Sequence, residues 1–129
     1  MNAETRDLPE RSVFLVVLVL APTIWFAHFL ATYAAVAVWC ARFAPADGGL
    51  GPMPWVVAAL TAGAVAGIAV VGWGGWTRHR HGGEAVPHDM DTPGDRHRFL
   101  GFATLLLSGL SMTATLYVGL STFFFTGCW

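Results

Sequence analysis

The chain has 129 residues, of which 55% are hydrophobic and only 12% charged, and its formal net charge is −1. That length holds one domain, and so much apolar surface with so little charge places the chain among membrane proteins rather than water-soluble ones. A net charge this close to zero gives no basis for a nucleic-acid partner or a strongly charged substrate.

Three apolar runs account for most of the sequence, at residues 12–39, 54–76 and 99–126. Each exceeds the ~20 residues needed to cross ~30 Å of hydrocarbon at a rise of ~1.5 Å per residue. The expectation is an all-α integral membrane protein, a single membrane domain over 1–129 with three transmembrane helices, a loop at 40–53 and another at 77–98. Orientation follows from arginine. Arg6, Arg11, Arg78, Arg80, Arg96 and Arg98 flank one side and only Arg42 the other, which by the positive-inside rule puts the N-terminus and the 77–98 loop in the cytoplasm. The 40–53 loop and the C-terminus then face outward. Arg78, Arg80, Arg96 and Arg98 are expected to anchor the two helix ends to lipid headgroups.

In chain order, residues 1–11 read as a polar leader, with Leu8-Pro9 ahead of the first helix. The first apolar run is about twice as long as a signal-peptide core, so it is expected to be an uncleaved span. Within it, Pro22 cannot donate to the carbonyl of Leu18, and a bend is expected there. Trp25, His28, Thr32, Ala35 and Trp39 share a face at three-and-four spacing. Besides Tyr33 and Tyr117, His28 is the one titratable side chain at depth. Its simplest role is a neutral imidazole hydrogen-bonded to Ser111 or Thr115 of the third span, or to a partner subunit, fixing helix register. A contact with a quinone or lipid headgroup, or haem ligation opposite Met112, are the alternatives.

The outer loop, ARFAPADGGLGPMP, holds three prolines and three glycines and cannot be regular helix. Its Phe43, Leu50, Met53 and the following Trp55 suggest a segment lying along the membrane interface. Span two carries Ala59, Gly63 and Gly67 four apart, a small-x-x-x-small row along which another helix can approach closely, with Ser108 of span three as a further small packing residue. The 77–98 loop reads as exposed coil. Its His79, His81, His88 and His97 with Asp89, Asp91 and Asp95 contain the right atoms for a metal but match no compact ligand spacing. In span three, Gly101, Thr104, Ser108, Ser111, Thr115 and Thr122 form a hydroxyl-rich stripe opposite Phe102, Leu106, Leu110, Leu116, Leu120 and Phe124. Such a stripe packs on another helix more readily than on lipid.

None of the three spans contains Asp or Glu, which argues against an ion-coupled transporter or proton pump. Cys40 and Cys128 end spans one and three on the same outward face, where thiols oxidise, so a disulfide is expected. Free thiols, or a thiolate pair taking copper with help from Met53, are the other readings of two cysteines without C-x-x-C spacing.

The pattern P-x-x-W-x-x-H at Pro22, Trp25 and His28, followed by Tyr33 and Cys40, then R-x-R-F-L at Arg96 to Leu100 and Cys128, resembles small three-span membrane proteins of proteobacteria. These are encoded beside cytochrome c oxidase and its copper-delivery factors. Seven Arg and no Lys fit a GC-rich bacterial genome. The resemblance implies a bacterial inner-membrane protein, itself non-catalytic. It would be an accessory subunit of a respiratory complex of the haem–copper type, oxidising cytochrome c or quinol, packed against a large membrane subunit and lipids. No cofactor would bind this chain, haem and copper belonging to the partner subunits. The alternative is a membrane assembly factor that handles copper or haem for such an oxidase through Cys40, Cys128 or His28.

Overall fold

The structure is a computed structural model that describes the backbone of residues 3–80, 93–125 and 127–128, and the side chains of 12–77, 80, 98–125 and 127–128. Three helices make it up: α1 (Ala3–Arg42), α2 (Met53–Arg80) and α3 (Pro93–Phe124). All three are long and apolar enough to cross a membrane, over Ser12–Arg42, Met53–Thr77 and Arg98–Phe124. The chain is a multi-pass membrane protein.

The helices overrun the apolar segments. α1 begins at Ala3, so the leader is helical from Ala3 on and Pro9 lies inside the helix rather than before it. Ala, Glu, Arg and Leu around it are good helix formers, and so near the N-terminus a proline forfeits a single backbone bond. α2 runs on through Thr77 to Arg80, and α3 starts at Pro93, so 77–80 and 93–98 are helical rather than coil, and 81–92 lie outside the described residues. Hydropathy marks where lipid ends, whereas the backbone ladder continues into water as long as helix-compatible residues follow. Pro93 and Pro54 sit in the first turns of their helices, where a missing N–H costs nothing. Pro22 is carried inside α1 without a break in the helix. The C-terminal end of α3 is earlier than the apolar run suggests, at Phe124 rather than 126.

Contacts run antiparallel between neighbours: His28 meets Thr61 and Ile24 meets Gly67 between α1 and α2, while Gly72 meets Ser108 and Gly75 meets Gly101 between α2 and α3. The topology is therefore up, down, up, with α1 and α3 parallel. The core is Ala21, Ile68 and Val71, with Val17, Ile24, Trp25 and Met112 packed against it.

The row of small residues expected to be the close-packing face of α2 is not where the helices approach most closely. Ala59 and Gly63 are exposed, a Cβ added at Gly63 would meet nothing within 4 Å, and only Gly67 touches a neighbour, the Ile24 side chain. The close approach is made by Gly75, where an added Cβ would lie 2.8 Å from the Gly101 carbonyl oxygen and 3.1 Å from the Leu105 nitrogen. Gly72 sits similarly against the Ser108 Cβ, 3.2 Å away. The buried row on α2 is Val57, Ala64, Ile68, Val71, Gly72 and Gly75, rotated away from the Gly-x-x-x-Gly row. Span two is rich in small residues all round, so small-residue spacing alone did not single out a face.

The hydroxyl stripe of α3 is buried: Thr104, Ser108, Ser111 and Thr115 are all within the packed interior. Thr104, Ser108 and Thr115 each donate to the carbonyl four residues back, on Leu100, Thr104 and Ser111, at 2.7–2.8 Å. Internal satisfaction lets polar side chains serve as small, close-packing surface in a medium without water. The Leu106, Leu110, Leu116, Leu120 and Phe124 side is exposed, as a lipid-facing surface must be.

Candidate functional site

Two polar constellations stand out within this apolar frame, one at the middle of the bundle and one at the end carrying the 43–52 loop.

At mid-bundle, His28 is buried and its Nε2 lies 3.0 Å from Thr61 Oγ1 and 3.4 Å from Thr32 Oγ1. Thr61 is already committed as a donor to the Val57 carbonyl, at 2.7 Å. Its oxygen must therefore accept from His28, which assigns the Nε2–H tautomer and leaves Nδ1 as the bare nitrogen. Neither His28 Nδ1 nor the nearby Trp25 Nε1 has a hydrogen-bond partner among the described residues. The sequence reading pointed to Ser111 or Thr115, or to a partner subunit, for the imidazole's hydrogen bond, and within the chain the structure places it on Thr61 of α2 instead. Ser111 accepts from Thr115 through its backbone carbonyl, whereas Thr61 is the only hydroxyl in 54–76, a signal that could have identified it. Below Thr61, Gly119 lets α3 close in: a Cβ there would come within 2.6 Å of Thr61 Oγ1. His28, Thr61 and Gly119 thus form one layer through all three helices.

Met112 belongs to a different layer. It packs on Ala21 and Ile68, seven residues along α3 from Gly119, or ~10 Å at ~1.5 Å per residue. The structure does not bring His28 and Met112 together as a ligand pair. Tyr33 and Tyr117 are exposed on the apolar surface, while Trp25 packs against the core with its ring centroid 6.5 Å from that of Phe29. Between His28 and Thr61 a double-mutant cycle to Ala is expected to give a coupling of about 0.6 kcal/mol, rising to at most ~1.7 kcal/mol. Denaturant unfolding in bicelles measures it, and additive effects would mean that the hydrogen bond does not form.

At the loop end, Cys40 and Cys128 form a disulfide, with Cα atoms 5.6 Å apart across a sequence separation of 88. Around it the chain is knitted without regular structure. α1 closes with Phe43 and Ala44 both donating to the Trp39 carbonyl, at 2.8 and 2.9 Å. The chain then turns through Pro45 and Gly48, whose φ of 72° is open to glycine without strain. Cys128 N donates to the Gly48 carbonyl at 2.8 Å, and Gly49 and Gly127 form an antiparallel bridge. The Trp39 indole donates to the Gly49 carbonyl at 3.2 Å. Leu50 is buried in this cap rather than laid on the membrane surface, while Phe43 and Trp55 are exposed.

Beside the cap lies an open groove of about 440 Å³ between α1 and α3, lined by residues such as Phe29, Val36 and Val118 together with Leu50 and the two cysteines. Met53 also lines it, but the two cysteine sulfurs bond each other rather than standing as a thiolate pair. Among the described residues no three His, Cys, Asp or Glu side chains gather as a metal site. His81, His88, Asp89 and Asp91 lie outside the described residues, as do the side chains of His79, Asp95, His97, Arg78 and Arg96. Of the arginine anchors, Arg80 places its guanidinium 6.0 Å from the Trp76 ring centroid, a cation–π contact at the end of α2, and Arg98 is half-buried near the start of α3.

No protein-family model, curated protein or solved structure matches this chain.

Proposed function

We propose that this protein is a non-catalytic accessory subunit of a bacterial respiratory complex of the haem–copper oxidase type, packed against a large inner-membrane subunit. The observation that carries the reading is where the motif residues lie. Trp25 packs against the core, His28 is hydrogen-bonded across to α2, and Cys40 and Cys128 are joined to each other. Each of these side chains is used to hold the three helices in register. A copper-handling factor would instead need the two cysteines as free thiols, whereas they are bonded to each other.

The distribution of burial supports a larger partner. Only 11% of the most apolar stretch of α1 is buried within the chain, against 22% for α2 and 28% for α3. α1 therefore offers most of its surface to lipid or to another subunit. At 40 residues it offers such a subunit a long face on which to pack.

Affinity purification through a tag on this chain, from native membranes in mild detergent, tests the reading. The expected result is stoichiometric recovery with a large subunit whose visible spectrum shows haem, unchanged by His28→Leu. Transient, substoichiometric capture of immature oxidase would favour the assembly-factor alternative, and loss of a haem band with His28→Leu would make His28 a ligand. Orientation is checked separately. With the N-terminus in the cytoplasm, an alkaline phosphatase fusion after Trp129 is expected to be active, and activity of a cytoplasmic reporter at that junction would reverse the topology.

A further inference from the structure

We propose that an open groove between α2 and α3 binds one anionic phospholipid, its phosphate held by Arg80 and Arg98 and one acyl chain lying along the groove.

The groove, of about 430 Å³, is a consequence of residue size. Gly72 and Ser108 are buried and meet each other between the helices, a Cβ on Gly72 falling 3.2 Å from that of Ser108. Beside them Trp73 and Trp76 of α2 are exposed, while on the α3 side Gly109 is exposed with nothing within 4 Å of an added Cβ. Large side chains therefore rise beside a strip that has almost none. The Ser108 hydroxyl is committed to the Thr104 carbonyl at 2.7 Å, so the strip is apolar to an occupant. From Trp76 to Ile68, both lining residues, the groove follows α2 for eight residues, or ~12 Å at ~1.5 Å per residue. That is most of the ~15 Å depth of one leaflet's hydrocarbon, the depth that an acyl chain occupies.

Charge selects the occupant. The α2 residues of the groove continue at helical spacing from Ala69 through Trp73 and Trp76 to Arg80, and those of α3 run back from Met112 through Gly109, Leu105 and Phe102 to Arg98. Each row thus ends in an arginine. Gly75 meets Gly101 across the interface, which brings Arg80 and Arg98, five residues beyond the one and three before the other, to within ~3 Å of the same height. Arg80 lies directly on the groove's edge, its guanidinium 6.0 Å from the Trp76 ring centroid.

The height is that of lipid phosphates. Trp55 and Trp76 are both exposed and lie 21 residues apart on α2, or ~32 Å, which matches two aromatic belts on either side of ~30 Å of hydrocarbon. Arg80 is one turn further out, ~6 Å, within the headgroup layer. Two guanidinium groups there suit a phosphate, which accepts paired N–H donors from arginine. A zwitterionic lipid brings a cation along with its phosphate, so the site favours a lipid with net negative charge.

The test uses the full chain, released from nanodiscs with its bound lipid and weighed by native mass spectrometry, with phosphatidylglycerol and phosphatidylcholine as the competing probes. One phosphatidylglycerol is expected to be retained in preference to phosphatidylcholine by roughly tenfold. The preference is expected to fall to near parity in the R80Q/R98Q double variant. Gly109→Leu, which fills the groove and leaves both arginines in place, is expected to release the lipid as well. Equal retention of the two lipids would overturn the site, as would a preference that survives R80Q/R98Q. A preference that survives Gly109→Leu would also overturn it, because the arginines would then hold headgroups without the groove. Phosphatidylglycerol carrying a diazirine on its acyl chain keeps the proposal testable if a variant does not accumulate. Its cross-links to the unaltered chain are expected in 68–76 and 105–112, and cross-links spread evenly over the exposed faces of all three helices would overturn the site. Cross-linking from Gly109→Cys in native membranes to a protein instead of lipid would assign the groove to a partner helix, with the same result.

Discussion

Gly75→Leu is expected to separate α2 from α3 and to leave the protein unable to hold its three-helix packing, with the smaller Gly75→Ala costing about 1–3 kcal/mol by overpacking. The reason is what the new atoms would meet. The nearest neighbours of a Cβ at Gly75 are the Gly101 oxygen at 2.8 Å, the Leu105 nitrogen at 3.1 Å and the Thr104 Cβ at 3.2 Å. Two of the three are backbone, which cannot step aside by a change of rotamer, so the helices must move apart. That movement would also loosen the Gly72–Ser108 contact one turn away. Gly63→Ala and Gly109→Ala are the internal controls, since nothing lies within 4 Å of a Cβ at either position. Both are expected to leave stability within a few tenths of a kcal/mol. Unfolding in mixed micelles with increasing dodecyl sulfate measures all four variants. If Gly63→Ala proves as damaging as Gly75→Ala, the packing face is the one that the small-residue row suggested.

The second large effect is expected from Cys40→Ser. With a sequence separation of 88, the chain-entropy model assigns such a cross-link about 4–5 kcal/mol in a soluble protein. The gain here is expected to be smaller. A bilayer confines the helices to parallel or antiparallel crossings before any bond forms, so much of the loop entropy is already spent. Cys40→Ser is therefore expected to yield a chain that still inserts with three spans but unfolds at lower detergent, and that, on the function proposed above, is released more easily from the large subunit. Alkylation of unreduced native protein, followed by a non-reducing gel, gives the direct check on the bond. Labelling of both cysteines without prior reduction would show that they are free thiols.

His28 shows why part of the site was not legible in advance. Its depth and the face it shares with Trp25 and Thr32 follow from helical spacing. Its partner does not, because spacing within one helix carries no information on how far the next helix is rotated about its axis. Ser111 and Thr115 were the abundant hydroxyls, yet they turn inward elsewhere along α3, and Thr115 satisfies itself on the carbonyl four residues back. The rotation of α2 that brings Thr61 to His28 is set by where the backbones can approach most closely, at Gly72 and Gly75 against α3 and at Thr61 against Gly119. The same rotation turns Ala59 and Gly63 outward. One packing decision thus accounts for both departures from the sequence reading.

By itself, the sequence determined the number of spans, the loop composition and the arrival of both cysteines at one end. These rest on properties that each residue carries alone or in local order: the cost of exposing peptide groups to hydrocarbon forces helices of membrane length, and an even number of further crossings returns the third helix to the end where the first finished. Which glycines touch, which hydroxyl receives the histidine and what closes over the disulfide were decided only by the tertiary structure. In lipid there is no hydrophobic penalty to choose one apolar helix face over another, so the face is chosen by close van der Waals fit between backbones and by local polar satisfaction. Both are properties of two helices together, and neither can be read from one.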